Sequence, residues 1–390
     1  MPSSHSRNAH RHWLVIGNPE SKRVSGFREA VERSDGASVS LLPWLDWLDS
    51  ENIAPPSAGT IVRIESPGEN VAVAKRLLRA GISPMEMAGC RPIEAAEIDR
   101  LDCSRGEILH PRQWFLGFAS SLRKLGQAWS GSNVQWMSSP DSIVTAFDKV
   151  ECLKRWTVAG LPTPTRWEDI TSYHQLRESI PHRHARIFVK LRYGYSAMGS
   201  VALEWRDDKV RAITTVESVW SAGRPRLFVS KRPRFLGREF EIAWLIDTLG
   251  MEEIVVEKWL PKARWRGRSF DLRIVTIGGK PAHIVGRASS SPFTNLNLDS
   301  TRLSREEVVE VLGDRLQDVE RLATTAAAAL PDAFTLGIDI LPRASSPRCD
   351  LLEANAFGDY LPGLLHEGRT TYDAEVAGFP RMPGFDGEQF

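Results

Sequence analysis

The chain has 390 residues, 42% of them hydrophobic and 25% charged, with a formal net charge of +1. These are ordinary values for a soluble globular protein, and the length calls for two or three domains rather than one small core. They exclude a general nucleic-acid coat, which needs an excess of Lys and Arg to displace counterions, and no apolar run approaches the roughly 20 residues of a membrane span.

Cys90, Cys103, Cys152 and Cys349 are scattered without a Cys-x-x-Cys pair, which fits neither a disulfide framework nor a zinc ribbon. A cytoplasmic protein without nucleic-acid or membrane partners is therefore expected. The start, MPSSHSRNAHRH, is polar and lacks the apolar stretch of a secretory signal, so residues 1–12 are expected to be a disordered tail.

Residues 13–17 (WLVIG) predict a buried strand, followed by a turn at 18–21 and a helix with Phe27, Ala30 and Val31 on one face. A second unit starts at Thr60, with a strand over Ile61–Ile64. Ser66-Pro67 predicts the cap and first position of a helix striped by Val71, Ala74, Leu77 and Leu78 and closed at Gly81. Strand–helix alternation of this kind predicts an α/β domain with a parallel sheet over 13–135. Ile143, Val144, Phe147, Val150 and Leu153 predict one helix over 141–160, stopped by Gly160, Pro162 and Pro164.

Beyond that stiff connector, 186–191 (RIFVKL) and 254–260 (IVVEKWL) read as strands. The runs 272–277 and 281–287 read as a hairpin about Gly278-Gly279. Ser304-Arg-Glu-Glu307 is a capping box opening a long helix that carries Val308 to Leu322. Two final strands are expected at 335–341 and 350–354.

The chemistry concentrates on these strands. Asp339 lies inside the apolar run Gly337-Ile-Asp-Ile-Leu341, and Glu353 follows Leu351-Leu352. A carboxylate there is costly unless something neutralises it. Asn355, two residues past Glu353, points to the same face of a strand. Two carboxylates and an amide oxygen are hard ligands suited to Mg²⁺ held together with phosphates. Lys190, inside Ile187-Phe-Val-Lys190, wants an anion, and the small-residue loop Gly194–Gly199 after it can lay N–H groups on phosphate. The loop lacks the Gly-Lys-Ser/Thr order of a P-loop.

Taken in order, Asp148-Lys149 with Gly160-Leu-Pro-Thr-Pro164, Val189-Lys190, Val256-Glu257-Lys258-Trp259-Leu260, Asp271-Leu-Arg273, Arg287 with Phe293-Thr-Asn295, Gly337-Ile-Asp339 and Leu352-Glu353-Ala-Asn355 resemble the ATP-grasp superfamily. The Asp-x-Arg makes the chain most similar to the branch holding the ribosomal-protein glutamate ligase. The resemblance implies a mixed α/β and α+β chain: a pre-ATP-grasp domain at 13–135, then an ATP-grasp domain at 141–375 (small lobe 165–260, large lobe 261–375) and a tail at 376–390.

The resemblance further implies ATP with Mg²⁺, or Mn²⁺ in its place, held by Asp339, Glu353 and Asn355. Lys149 and Lys190 would meet ATP, the 257–260 hinge (Glu257, Lys258, Trp259, Leu260) would read adenine, and Asp271 would face the ribose. Asn295, or failing it Asn297, would help place phosphate or metal. Arg273 and Arg287 would sit where charge builds on the transferred phosphoryl group, since a guanidinium fork matches phosphate and keeps its charge. The basic run 261–270 departs from relatives that carry an acid or glycines there, and Asp359, Tyr360 and His366 match no family role.

The implied activity is a carboxylate–amine (or thiol) ligase passing through an acyl-phosphate on a small-molecule or peptide substrate, in a family where dimers are frequent. The alternatives are an ATP-grasp phosphotransferase and a degenerate ATP-binding partner of a biosynthetic enzyme.

Overall fold

A computed structural model describes residues 11–380, apart from Glu51, Pro181, His182, Asp208, Ala222 and Ser345. All but two residues of the expected N-terminal tail, and the last ten residues of the expected C-terminal one, lie outside the described residues. His12 already belongs to the first strand.

The first sheet is parallel, in the order β2-β1-β3-β4, with β1 at Arg11–Gly17, β2 at Ala37–Pro43, β3 at Ile61–Ile64 and β4 at Gln135–Trp136. Its central strands are apolar on both faces because helices cover them. On one face Trp13 and Val15 pack with Phe27 of the helix Lys22–Glu32 and with Tyr372, Val376 and Phe379. The last three belong to the C-terminal helix Thr371–Gly378 and the residue after it, so this helix crosses the expected 375/376 boundary. On the other face the helices Val71–Ala80 and Pro111–Ala128 pack very closely. A Cβ on Gly81 would meet the Gln113 carbonyl at 2.0 Å, and one on Gly117 the Leu77 carbonyl at 1.9 Å.

The second sheet is antiparallel, in the order β5-β10-β6-β7-β8-β9. Its strands are β5 (Arg166–Trp167), β6 (His184–Leu191), β7 (Val201–Arg206), β8 (Lys209–Ser221), β9 (Arg224–Leu236) and β10 (Ile254–Lys258). The helix Glu239–Gly250 closes its outer core with Ile242, Leu245, Ile246 and Leu249.

The third sheet runs β14-β13-β12-β15-β16, with the short β11 (Arg264–Trp265) paired to β12. These strands are β12 (Arg268–Ile277), β13 (Lys280–Ser289), β14 (Thr301–Leu303), β15 (Thr335–Pro342) and β16 (Cys349–Asn355). Trp156 of the helix Lys149–Val158 donates to the Ala326 carbonyl at 3.0 Å, tying this helix to the alanine-rich helix Arg315–Ala328 beneath the sheet. Those two helices share one core with the helix Pro111–Ala128, which joins the first and third sheets.

Three local expectations are corrected. Helix 141–160 is two helices, Pro140–Phe147 and Lys149–Val158, because Asp148 leaves helical geometry and its carboxylate caps Val150 and Glu151. The cap after β3 is Asn70, accepting from Val73 N at 3.0 Å, not Ser66. The capping box at Ser304 and Glu307 forms, but its helix ends at Leu312, and a second begins at Arg315 after Gly313 turns at φ +52°. Among the described residues no helix is long and apolar enough to cross a membrane.

Candidate functional site

Strand register builds the site. β12 places Asp271 opposite Arg287 of β13, and Arg273 opposite Asp339 of β15. β15 in turn places Asp339 opposite Glu353 of β16, and Gly337 opposite Asn355. Residues two apart share a strand face, so one face of the third sheet carries alternating acids and bases. They join into a chain of ion pairs: Lys262–Asp271 (2.8 Å), Asp271–Arg287 (2.9 Å), Arg287–Asp339 (2.9 Å), Asp339–Arg273 and Arg273–Asp359 (2.8 Å). Asp271, Arg273, Arg287 and Asp339 are all buried.

Burial alone would raise the Asp271 carboxyl, but Arg287 and Lys262 hold it well below the usual carboxylate range. Asp339 is likewise held down against its burial by Arg273 and Arg287. Lys262 goes the other way, lowered by burial that Asp271 only partly offsets.

The second sheet supplies the opposite wall. Lys190 and Glu257 are diagonal neighbours on β6 and β10 and form an ion pair. Burial would lower the Lys190 ammonium, yet Glu257 and Glu353 raise it above its ordinary value. The second carboxylate oxygen of Glu257 is buried without a hydrogen-bond partner. Lys149, at the start of its helix, donates to the Gly194 carbonyl and lies 3.7 Å from Glu353. It thereby touches both the small-residue loop and the acidic strand. That loop holds Ser196 and Ala197 at positive φ, a costly conformation for side-chain-bearing residues, and Thr215 pins it by donating to the Ala197 carbonyl at 2.6 Å.

Between the walls lies a cleft open to solvent. Of the residues singled out in the sequence, Lys149, Lys190, Glu257, Lys258, Leu260, Asp271, Arg287, Asn295, Asp339 and Glu353 line it. The others stand differently. Trp259 turns its ring onto Phe188 and under Arg186, and the N–H groups of Lys258 and Trp259 go to the Thr165 and Arg186 carbonyls, so neither N–H can face a base. Arg273 sits behind Asp339, fixed between it and Asp359. Asn355 donates to the Gly337 carbonyl at 3.1 Å. Asn297 is exposed, with its amide toward Ser196. The sequence reading missed Lys262 and Thr294, both bonded to Asp271. Lys262 was hidden in a run that looked uniformly basic, and only its contact with Asp271 in the folded chain marks it.

No family model and no curated protein matches the chain. Solved structures do. The ATP-grasp ligase PsnB complexed with minimal precursor, Mg and ADP aligns over 96% of this chain and 99% of its own, at 14% identity and a TM-score of 0.52. N5-carboxyaminoimidazole synthetase from Staphylococcus aureus complexed with ADP aligns over 95% and 77%, at 10% identity and a TM-score of 0.51.

The chain has the ATP-grasp fold.

In that fold the cleft is the space between the two antiparallel sheets. Among the described residues no group of three or more His, Cys, Asp and Glu side chains is gathered to hold a metal. The oxygens that could meet a cation in the cleft are those of Asp339 and Glu353, with the amide oxygen of Asn355 on the same strand as Glu353. An ionised carboxylate accepts at about four lone-pair sites. Two hydrogen bonds from Arg273 use one site on each oxygen of Asp339, and Arg287 adds an ion pair at 2.9 Å to the oxygen bound by Arg273 Nη2, so the oxygen bound by Arg273 Nε is the less engaged of the two.

Proposed function

We propose that this chain is a magnesium- and ATP-dependent ligase that activates a substrate carboxylate as an acyl-phosphate and joins it to an amine, less often a thiol, releasing ADP and phosphate. The observation that carries the reading is the meeting of Lys149 and Lys190 with Arg287, Asp339 and Glu353 around one cleft. The residues suit the ligands. The partnerless Glu257 oxygen is a buried acceptor where a base's amino group would be read, and the donors at Asp339, Glu353 and Asn355 are all hard oxygens. Bound magnesium would supply charge neutralisation at the phosphate oxygens.

Lys190 holds the phosphates from the second sheet and Lys149 from the start of its helix, and Arg287 presents its fork from the third sheet. Such a site works by positioning and charge and needs no side-chain nucleophile. The amine or thiol displaces phosphate from the acyl group, so one acyl–oxygen bond breaks as one acyl–nitrogen or acyl–sulfur bond forms.

PsnB is solved with a precursor, and a peptide carboxylate belongs beside small acids among the substrates to test. The experiment is an ADP-release screen over amino acids, small acids and peptides with Mg-ATP. The expected result is ADP and phosphate appearing as two substrates are consumed. A stable phosphorylated product would make the protein a phosphotransferase. The reading fails if ATP binding is independent of magnesium and if Asp339→Ala and Glu353→Ala change nothing.

A further inference from the structure

The ion-pair chain ends on a residue outside the ATP-grasp motifs. Arg273 uses Nε and Nη2 on Asp339 and turns Nη1 to Asp359, at 2.8 Å. Arg273 is buried, whereas Asp359 keeps 27% of its side chain exposed. The loop that carries Asp359 is placed deliberately. A Cβ on Gly337 would lie 2.7 Å from the Gly358 carbonyl oxygen, and one on Gly358 would lie 2.8 Å from Thr335, so paired glycines let the loop press onto β15. From the other side Arg23, itself paired with Glu65 at 2.8 Å, donates to the Phe357 carbonyl.

We infer that Asp359 is a positioning residue for the cation site, holding one edge of Arg273 so that Asp339 stays available to a divalent cation. The inference rests on the reading that Mg-ATP binds in this cleft. Lys262, Arg287 and Arg273 balance Asp271, Asp339 and Asp359, three charges of each sign. Without Asp359 the chain carries a charge of +1 beside the place where the cation must go. Arg273 then directs its whole charge at Asp339 and competes for the same oxygens. Partners that orient a metal ligand from behind typically control about 10- to 100-fold in metal affinity.

The test titrates MgCl₂ into the full chain at fixed ADP, read by calorimetry and by tryptophan fluorescence, beside ADP binding without metal. Asp359→Asn is expected to raise the magnesium midpoint about tenfold while metal-free ADP binding holds, and Asp359→Glu to restore the midpoint. Asp359→Ser serves in place of Asp359→Asn if that variant does not fold. An unchanged midpoint, or an equal loss of metal-free ADP binding, overturns the role of Asp359 and leaves the ligase reading standing. If ADP binding by the unmodified protein ignores magnesium, the functional reading falls and the inference with it.

Discussion

Arg273 and Asp339 stand opposite each other in register on neighbouring antiparallel strands, both buried, and join through two N–H···O bonds. Because the pair is buried, removing one partner leaves the other's charge uncompensated, a loss of about 3 to 5 kcal/mol. Asp339→Ala is therefore expected to lower the melting temperature strongly as well as to abolish magnesium-dependent nucleotide binding. Asp339→Asn keeps an acceptor oxygen and should lose less stability while losing the metal response equally. Thermal melts and MgCl₂ titrations of the two variants separate these effects. Equal losses for both would show that the acceptor oxygen adds nothing once the charge is gone, and melting temperatures matching the unmodified protein would show that the buried charge does not stabilise the fold.

Acid should unfold the protein through the same carboxylates. Asp271, Asp339 and Glu65 are buried, yet their cationic partners hold all three below their ordinary values. A depressed folded-state value contributes stability that is present above the unfolded value, about 3.9 for Asp and 4.3 for Glu, and is lost as pH falls toward the folded one. Glu375 runs opposite, raised by burial, and offsets part of the loss. Denaturant unfolding at several pH values should show stability falling steeply below about pH 4. A flat profile down to pH 3 would contradict the assigned pairing.

Much of this arrangement was legible in the sequence. The hairpin of β12 and β13 could be read because alternation stops at Gly278-Gly279, which adopt φ +55° and +77°. Asp339, Glu353 and Lys190 stood out as charges in apolar strands. What could not be read depends on distant partners. Helical periodicity continues through Asp148, and only Arg192, which binds that carboxylate at 2.6 and 2.8 Å, reveals why the residue is a break. Asn70 outcompetes Ser66 as a cap because the turn geometry places it next to Val73. Arg63 looks like a surface residue of a short strand until Glu375, 312 residues away, meets it at 2.5 Å.

That last cluster predicts a contrast within the N-terminal region. Glu65 is fully buried between Arg23 and Arg63, at 2.8 and 3.1 Å. Glu65→Gln should cost about 3 to 5 kcal/mol because it strands cations in the interior. Arg33 is half exposed and pairs with Asp373 at 2.7 Å between the same two regions of chain. Arg33→Ala should cost less than about 1 kcal/mol, as solvent screens the pair. Urea unfolding of both variants checks the difference, and similar losses would mean that the buried cluster is no stronger than the surface pair.

The close approach of Gly337 to Gly358 makes the sharpest link between packing and the site. A methyl group on Gly337 meets a backbone carbonyl at 2.7 Å and the Arg273 side chain at 3.1 Å, and a carbonyl cannot rotate away as a side chain can. Gly337→Ala should therefore push the 356–359 loop off β15 and cost about 1 to 3 kcal/mol through overpacking. The displaced loop carries Asp359 away from Arg273, so the magnesium midpoint for ADP binding should rise as it does in Asp359→Asn. Combining both substitutions should raise it little further, because each removes the same contact. Additive shifts in the double variant would show that the glycine and the aspartate act on the site by separate routes.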